Sequence, residues 1–171
     1  MSKVNLFKRF LLFVCIMVVM ASATASAQIR EDQVNLGGLD LTMTYDDVIA
    51  CFGPPDVEKP GNFQLVDKVI MYGDDIEISF LNNKIRKIMV SGDNGWATSD
   101  GVRFGMPLAE AFEIYGKDYE SIMGVAYQYM CVSQKSYSYT PGDTNLVLRM
   151  VDSDNSGRIH YLMIIKGTPE Y

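Results

Sequence analysis

Leu41-Thr42-Met43-Thr44-Tyr45-Asp46-Asp47-Val48-Ile49-Ala50-Cys51-Phe52-Gly53 and Phe104-Gly105-Met106-Pro107-Leu108-Ala109-Glu110-Ala111-Phe112-Glu113-Ile114-Tyr115-Gly116 are the two stretches on which the fold turns. Each predicts a short helix. In the first, Thr44 can cap the helix with Asp47 three residues on, and Met43 and Val48 stand at the spacing of a hydrophobic staple. Gly53 supplies a left-handed exit and Pro54-Pro55 forbids continuation. In the second, Pro107 suits a first helical turn and Gly116 closes it. Val48, Ile49, Cys51 and Phe52, then Leu108, Ala111, Phe112 and Tyr115, make one apolar stripe on each helix.

Downstream of each helix the periodicity changes from helical to extended. Residues 68–72, 75–81 and 84–90 follow the first, with Asn82-Asn83 as a tight turn because Asn tolerates positive φ. Residues 125–132, 136–140, 145–151 and 158–166 follow the second. The shared order (Met, helix, aromatic-Gly, extended tract, hairpin) occurs twice at an offset of 63 residues and predicts a duplication. The fold class expected is α+β: two tandem units, each a short helical segment packed on an antiparallel β-sheet. Their bounds are 38–91 and 102–171, with a lead at 28–37 and a Gly-rich linker at 92–101.

Residues 1–27 read as a secretory signal peptide. Lys3, Lys8 and Arg9 form its positive end, Phe10 to Ala21 is a run of 12 apolar residues, and Ala25-Ser26-Ala27 is a cleavage site. That apolar core is short for a membrane span, and Cys15 lies inside it, not at the cleavage point where a lipid would be attached. The expectation is a secreted or periplasmic protein without a membrane anchor after cleavage. Export would leave 144 residues with 12 basic against 21 acidic side chains, a formal charge of −9. Such a body repels phosphate backbones, so nucleic acid and anionic membrane are poor partners. Cys51 and Cys131 would then be the two remaining thiols; as an even pair in an exported chain they permit a disulfide, and as separate residues they serve as small apolar core groups.

The residues that carry chemistry are few. Asp152-Ser153-Asp154-Asn155-Ser156-Gly157-Arg158 resembles the start of a calcium loop, but position 12 of that frame, which should be a bidentate acid, is Met163. A strand-joining turn uses the same residue types, so no metal and no cofactor is expected. His160, the only histidine, is the sole plain general base near neutral pH, and with Ser153 or Ser156 it supports the rival reading of a small hydrolase. No nucleophile-elbow motif accompanies it, and a strand histidine on the wetter face is ordinary. No catalytic residue is therefore assigned.

Tyrosine is the informative excess. Tyr127, Tyr129, Tyr137 and Tyr139 recur at period two, and Trp96 sits in the linker. Core packing and a protein-binding face both fit the pattern, since Tyr offers large, rigid, hydrogen-bonding contact area. These five residues are the candidate binding set.

Met43-Thr44 or Gly105-Met106 before a short helix, a Phe52-Gly53-Pro54-Pro55 or Tyr115-Gly116 exit, a Tyr-rich strand and a final hairpin resemble the small helix-and-three-strand fold shared by the β-lactamase inhibitory protein and the small lipoprotein subunit of the outer-membrane β-barrel assembly machine. The resemblance runs from about Leu41 to Lys166. It implies a sheet-built recognition surface without catalytic apparatus, hence a non-enzymatic interaction module with a protein partner, or more narrowly an inhibitor of an exported enzyme.

Overall fold

A computed structural model describes residues 29–62, 66–131 and 146–167. The expected signal peptide and the expected strand at 136–140, with Tyr137 and Tyr139, lie outside those residues. Two small strands, β1 (Asn35–Leu36) and β2 (Leu39–Asp40), form a hairpin of their own. Helix α1 (Tyr45–Phe52) leads into β3 (Val57–Pro60), β4 (Lys68–Tyr72), β5 (Ile76–Leu81) and β6 (Lys84–Val90). Helix α2 (Leu108–Tyr115) leads into β7 (Glu120–Ile122), β8 (Ala126–Met130), β9 (Leu146–Val151) and β10 (Tyr161–Lys166).

The local grammar of the sequence explains these elements. Thr44 and Asp47 form the reciprocal cap at the start of α1: the Asp47 amide donates to Thr44 Oγ1 at 3.2 Å and the Thr44 amide donates to Asp47 Oδ2 at 2.8 Å. Asn82 and Asn83, at φ 52° and 61°, turn β5 into β6 in the left-handed conformation that Asn tolerates.

The expected pair of tandem helix-on-sheet units is not what forms. Strands β3 to β10 make one eight-stranded antiparallel sheet in the order β3-β4-β5-β6-β10-β9-β8-β7. Its seam is β6 against β10, with Val90 opposite Leu162 and Ile88 opposite Ile164. The molecule is thus a sheet-dominated fold with two short helices among the described residues. The physical reason is visible in the ladder. Had each half kept its own sheet, β6 and β10 would be edge strands presenting unpaired backbone groups; pairing them satisfies both edges. Alternation within a strand reveals which face is buried but not which edge finds a partner.

One row of side chains crosses the sheet from Ile70 through Ile78, Ile88, Ile164 and Leu148 to Tyr129, each opposite the next and all buried. The helices pack on this face. Tyr45 of α1 meets Phe80 edge-on at 5.6 Å between ring centroids, and Phe112 of α2 meets Tyr127 at 5.1 Å. The other face is mixed: Glu77 pairs with Lys87 at 2.8 Å, and Arg149 donates to Gln128 Oε1 at 2.6 Å. The N-terminal lead is more than a polar lead, for Ile29, Val34 and Leu36 join the same core as Leu39, Leu41 and the sheet's inner face.

Candidate functional site

Both helices end in the same way. Gly53 and Gly116 share φ 79°, a conformation that L side chains resist, and their amides donate back to Ile49 O at 2.8 Å and Phe112 O at 2.9 Å. A strand tyrosine then caps each exposed glycine carbonyl. The Tyr72 hydroxyl donates to Gly53 O at 2.8 Å, and the Tyr129 hydroxyl donates to Gly116 O at 2.6 Å. In each case the last helical residue leans on that tyrosine: Phe52 on Tyr72 at 5.9 Å and 53°, Tyr115 on Tyr129 at 5.6 Å and 54°.

Burial separates the two. Tyr115 and Tyr129 are 2% and 1% exposed, and the Tyr115 hydroxyl donates to Thr98 Oγ1 at 2.8 Å. Burial pushes both phenols well above the usual tyrosine range. Phe52, by contrast, is 40% exposed. Its other neighbour is Trp96, with ring centroids 5.1 Å apart. The Trp96 amide donates to Asn94 Oδ1 at 3.0 Å, and the indole lies so close over Gly37 that a Cβ there would run into the ring. Trp96, Phe52 and Tyr72 therefore form an aromatic ledge that reaches solvent, between the β1–β2 hairpin and the end of α1.

The tyrosine face expected from sequence is placed differently. Tyr129 is a core residue, which removes it from the binding set: its ring lies on the helix side of the sheet and its hydroxyl caps Gly116. Tyr127 shares that side, half-buried between Phe112 and Tyr119, its hydroxyl donating to Gly124 O at 3.2 Å. Period-two spacing correctly put the two on one face; the reading missed the apolar stripe of α2, which claims that face. Of the three candidates among the described residues, Trp96, Tyr127 and Tyr129, Trp96 is the one set beside the exposed Phe52 ring. Phe52 and Tyr72 join it, and neither carried a signal beyond its aromatic character. Cys51 is exposed on α1 and Cys131 is buried after β8, and no disulfide joins the two.

The second cluster is the β9–β10 loop. The Asp152 carboxylate, 6% exposed, accepts the Ser156 amide at 2.9 Å and the Gly157 amide at 2.7 Å. Asp154 Oδ1 also accepts from the Ser156 amide at 2.9 Å, and hydrogen bonding to Ser156 holds its carboxyl below the ordinary range. His160 stands just before β10, not within a strand face, with its ring edge-on to Phe104 at 6.2 Å. Its Nδ1 lies 3.6 Å from Asp152 Oδ1 and 3.5 Å from Asp154 Oδ1. The Ser156 hydroxyl lies 3.4 Å from Asp152 Oδ1. Among the described residues, Asp152, Asp154 and His160 are the group able to offer ligand atoms to one metal ion, all within 4.8 Å of one another. The loop is tied to the start of α2: Leu108 N donates to Gly157 O at 2.9 Å and Ile159 N to Met106 O at 3.0 Å.

No family model matches the chain, and no curated protein does. Among solved structures it is similar to an extracellular protein containing an SCP domain from Bacillus anthracis, with a TM-score of 0.51 and 11% identity over 81% of this chain. The chain covers 48% of that protein. At this identity the likeness concerns the fold. No helix among the described residues is long and apolar enough to cross a membrane.

Proposed function

We propose that the chain acts outside the cytoplasm as a non-enzymatic protein-interaction module, engaging a protein partner through the ledge of Trp96, Phe52 and Tyr72. The observation that carries this reading is the 40% exposure of Phe52, a large apolar ring packed at a tilt against a half-buried indole where its counterpart Tyr115 is sealed. Aromatic groups already ordered by packing lose little freedom on binding, and such residues dominate interface energetics. The signal-like residues 1–27, and the extracellular protein of similar fold, support a secreted or periplasmic location. An inhibitor of an exported enzyme is the narrower version of the same reading.

Trp96 is the only tryptophan, so its emission reports on the ledge directly. The mature protein would be immobilised, partners captured from the medium and envelope of its own cells, and binding measured for Phe52→Ala and Trp96→Ala, with Met123→Ser as a remote control. Loss of at least about 30-fold in affinity, without a matching loss of melting temperature, is expected of a true binding centre. Capture that is indifferent to both substitutions, or that falls only as stability falls, would reject the ledge.

A further inference from the structure

The β9–β10 loop contains a buried polar atom that makes no hydrogen bond among the described residues. His160 Nδ1 is sealed from solvent and makes no hydrogen bond, although two carboxylate oxygens stand 3.5 and 3.6 Å away. Hydrogen bonds between such atoms fall at about 2.7–3.2 Å, so these contacts are too long to be hydrogen bonds. A buried nitrogen that makes no hydrogen bond and stands beside two carboxylates calls for an occupant.

We propose that Asp152, Asp154 and His160 bind a divalent transition-metal ion of the zinc class, through one oxygen of each carboxylate and the Nδ1 of the imidazole. The spacing fits. Ligand atoms about 2.0–2.2 Å from a tetrahedral zinc ion lie roughly 3.3–3.6 Å from one another, which covers both distances at His160. Calcium would need six to eight oxygens and lacks its acid at the Met163 position, whereas an imidazole with two carboxylates suits zinc and its neighbours.

The surroundings already perform the orienting role of an outer shell. The amides of Ser156 and Gly157 fix both oxygens of Asp152, and Phe104 lies edge-on to the imidazole. Hydrogen bonds to Met106 and Leu108 keep the loop on the α2 side. His160 is 27% exposed at its side chain, which leaves a route for the ion while Nδ1 stays covered. Three protein ligands leave a fourth position for water or for a donor from outside the chain.

The test uses the mature protein carrying Cys51→Ser, which removes an exposed thiol that would compete for zinc. Because His160 is the only histidine, a nitrogen-15 spectrum of the labelled ring shows one imidazole and identifies which nitrogen is ligated. Zinc should bind once per chain and move the Nδ1 resonance. At about a hundredfold excess over Kd it should raise the melting temperature by roughly 5–10 °C, while calcium leaves it unchanged. His160→Ala and Asp154→Asn should both abolish the shift; Asp154 is largely exposed, so its variant remains folded. The proposal fails if zinc produces no shift, or if the shift survives in both variants. It fails equally if zinc ligates Nε2.

Discussion

The ends of α1 and α2 are built alike and used differently. Each has a glycine at φ 79°, a strand tyrosine donating to that glycine's carbonyl, and an aromatic residue leaning on the tyrosine at nearly the same angle. At α2 the leaning ring is Tyr115, buried, with its hydroxyl engaged by Thr98. At α1 it is Phe52, which has no hydroxyl to satisfy and remains partly in water beneath Trp96. The geometry that docks a helix end on the sheet therefore does not require the ring to be sealed. Once docking is secured by the glycine and the tyrosine, the outer surface of the ring is free for another role.

The sharpest way to break this comparison is to delete the rings. Tyr129→Ala or Tyr115→Ala should lower the unfolding free energy by about 3–5 kcal/mol, as for other buried aromatics. Phe52→Ala should cost only about 1–2 kcal/mol, because much of its surface never left water. Urea denaturation of the three variants decides the matter. Equal losses would mean that the exposed ring is as structural as the buried one.

Removing only the hydroxyls asks a finer question. Tyr129→Phe leaves the Gly116 carbonyl without its tyrosine donor and, because Tyr129 is fully buried where Tyr72 is half-buried, should cost about 1–3 kcal/mol, more than Tyr72→Phe at Gly53. The same phenols set the alkaline limit. Their folded-state pKa values are raised, so they stay protonated in the fold while the unfolded chain ionises from about pH 10 upward. Stability from them is complete below that value and is lost above it. Melting measured from pH 8 to 11 should fall steeply in the parent protein and more gently in Tyr115→Phe or Tyr129→Phe, and identical curves would remove the two phenols from the explanation.

The smallest effect lies at the opposite ends of the helices. Thr44 caps α1 with its own side chain, whereas Pro107 before α2 makes no side-chain cap and the Leu108 amide is satisfied by Gly157 O of the β9–β10 loop. Thr44→Ala should cost about 1 kcal/mol. Asp47, whose carboxyl is held low chiefly by its hydrogen bond to Thr44, supports α1 at neutral pH. That support fades as the pH drops through and below the carboxylate range, and the Thr44→Ala variant should be less sensitive to acid than its parent.

What could be read from the sequence was local. The cap at Thr44, the exits at Gly53 and Gly116, the Asn82-Asn83 turn and the strand at 68–72 all depend on residues a few positions apart. The seam between Val90 and Leu162 left no such trace, because two apolar strands pair as well with a neighbour as with each other. Strands β3 and β7 were missed for a different reason: Val57-Glu58-Lys59-Pro60 and Glu120-Ser121-Ile122 are short edge pieces with little apolar alternation. Trp96 was singled out by rarity, and its partner Phe52 was hidden because a helix stripe looks the same whether its last ring is covered or bare. His160 was assigned to a strand by alternation, and its meeting with Asp152 and Asp154 depends on the loop's left-handed residues, Asn155 and Gly157.

The seam has a consequence for the order in which the sheet forms. Strand β10 follows every other strand in the chain, yet it sits in the middle of the sheet between β6 and β9. The centre of the sheet cannot close before β10 is available to pair with β6. Closing it joins segments about 70 residues apart, a slow step for any β-rich chain. Until that pairing forms, β6 is an edge strand with a row of unpaired backbone groups.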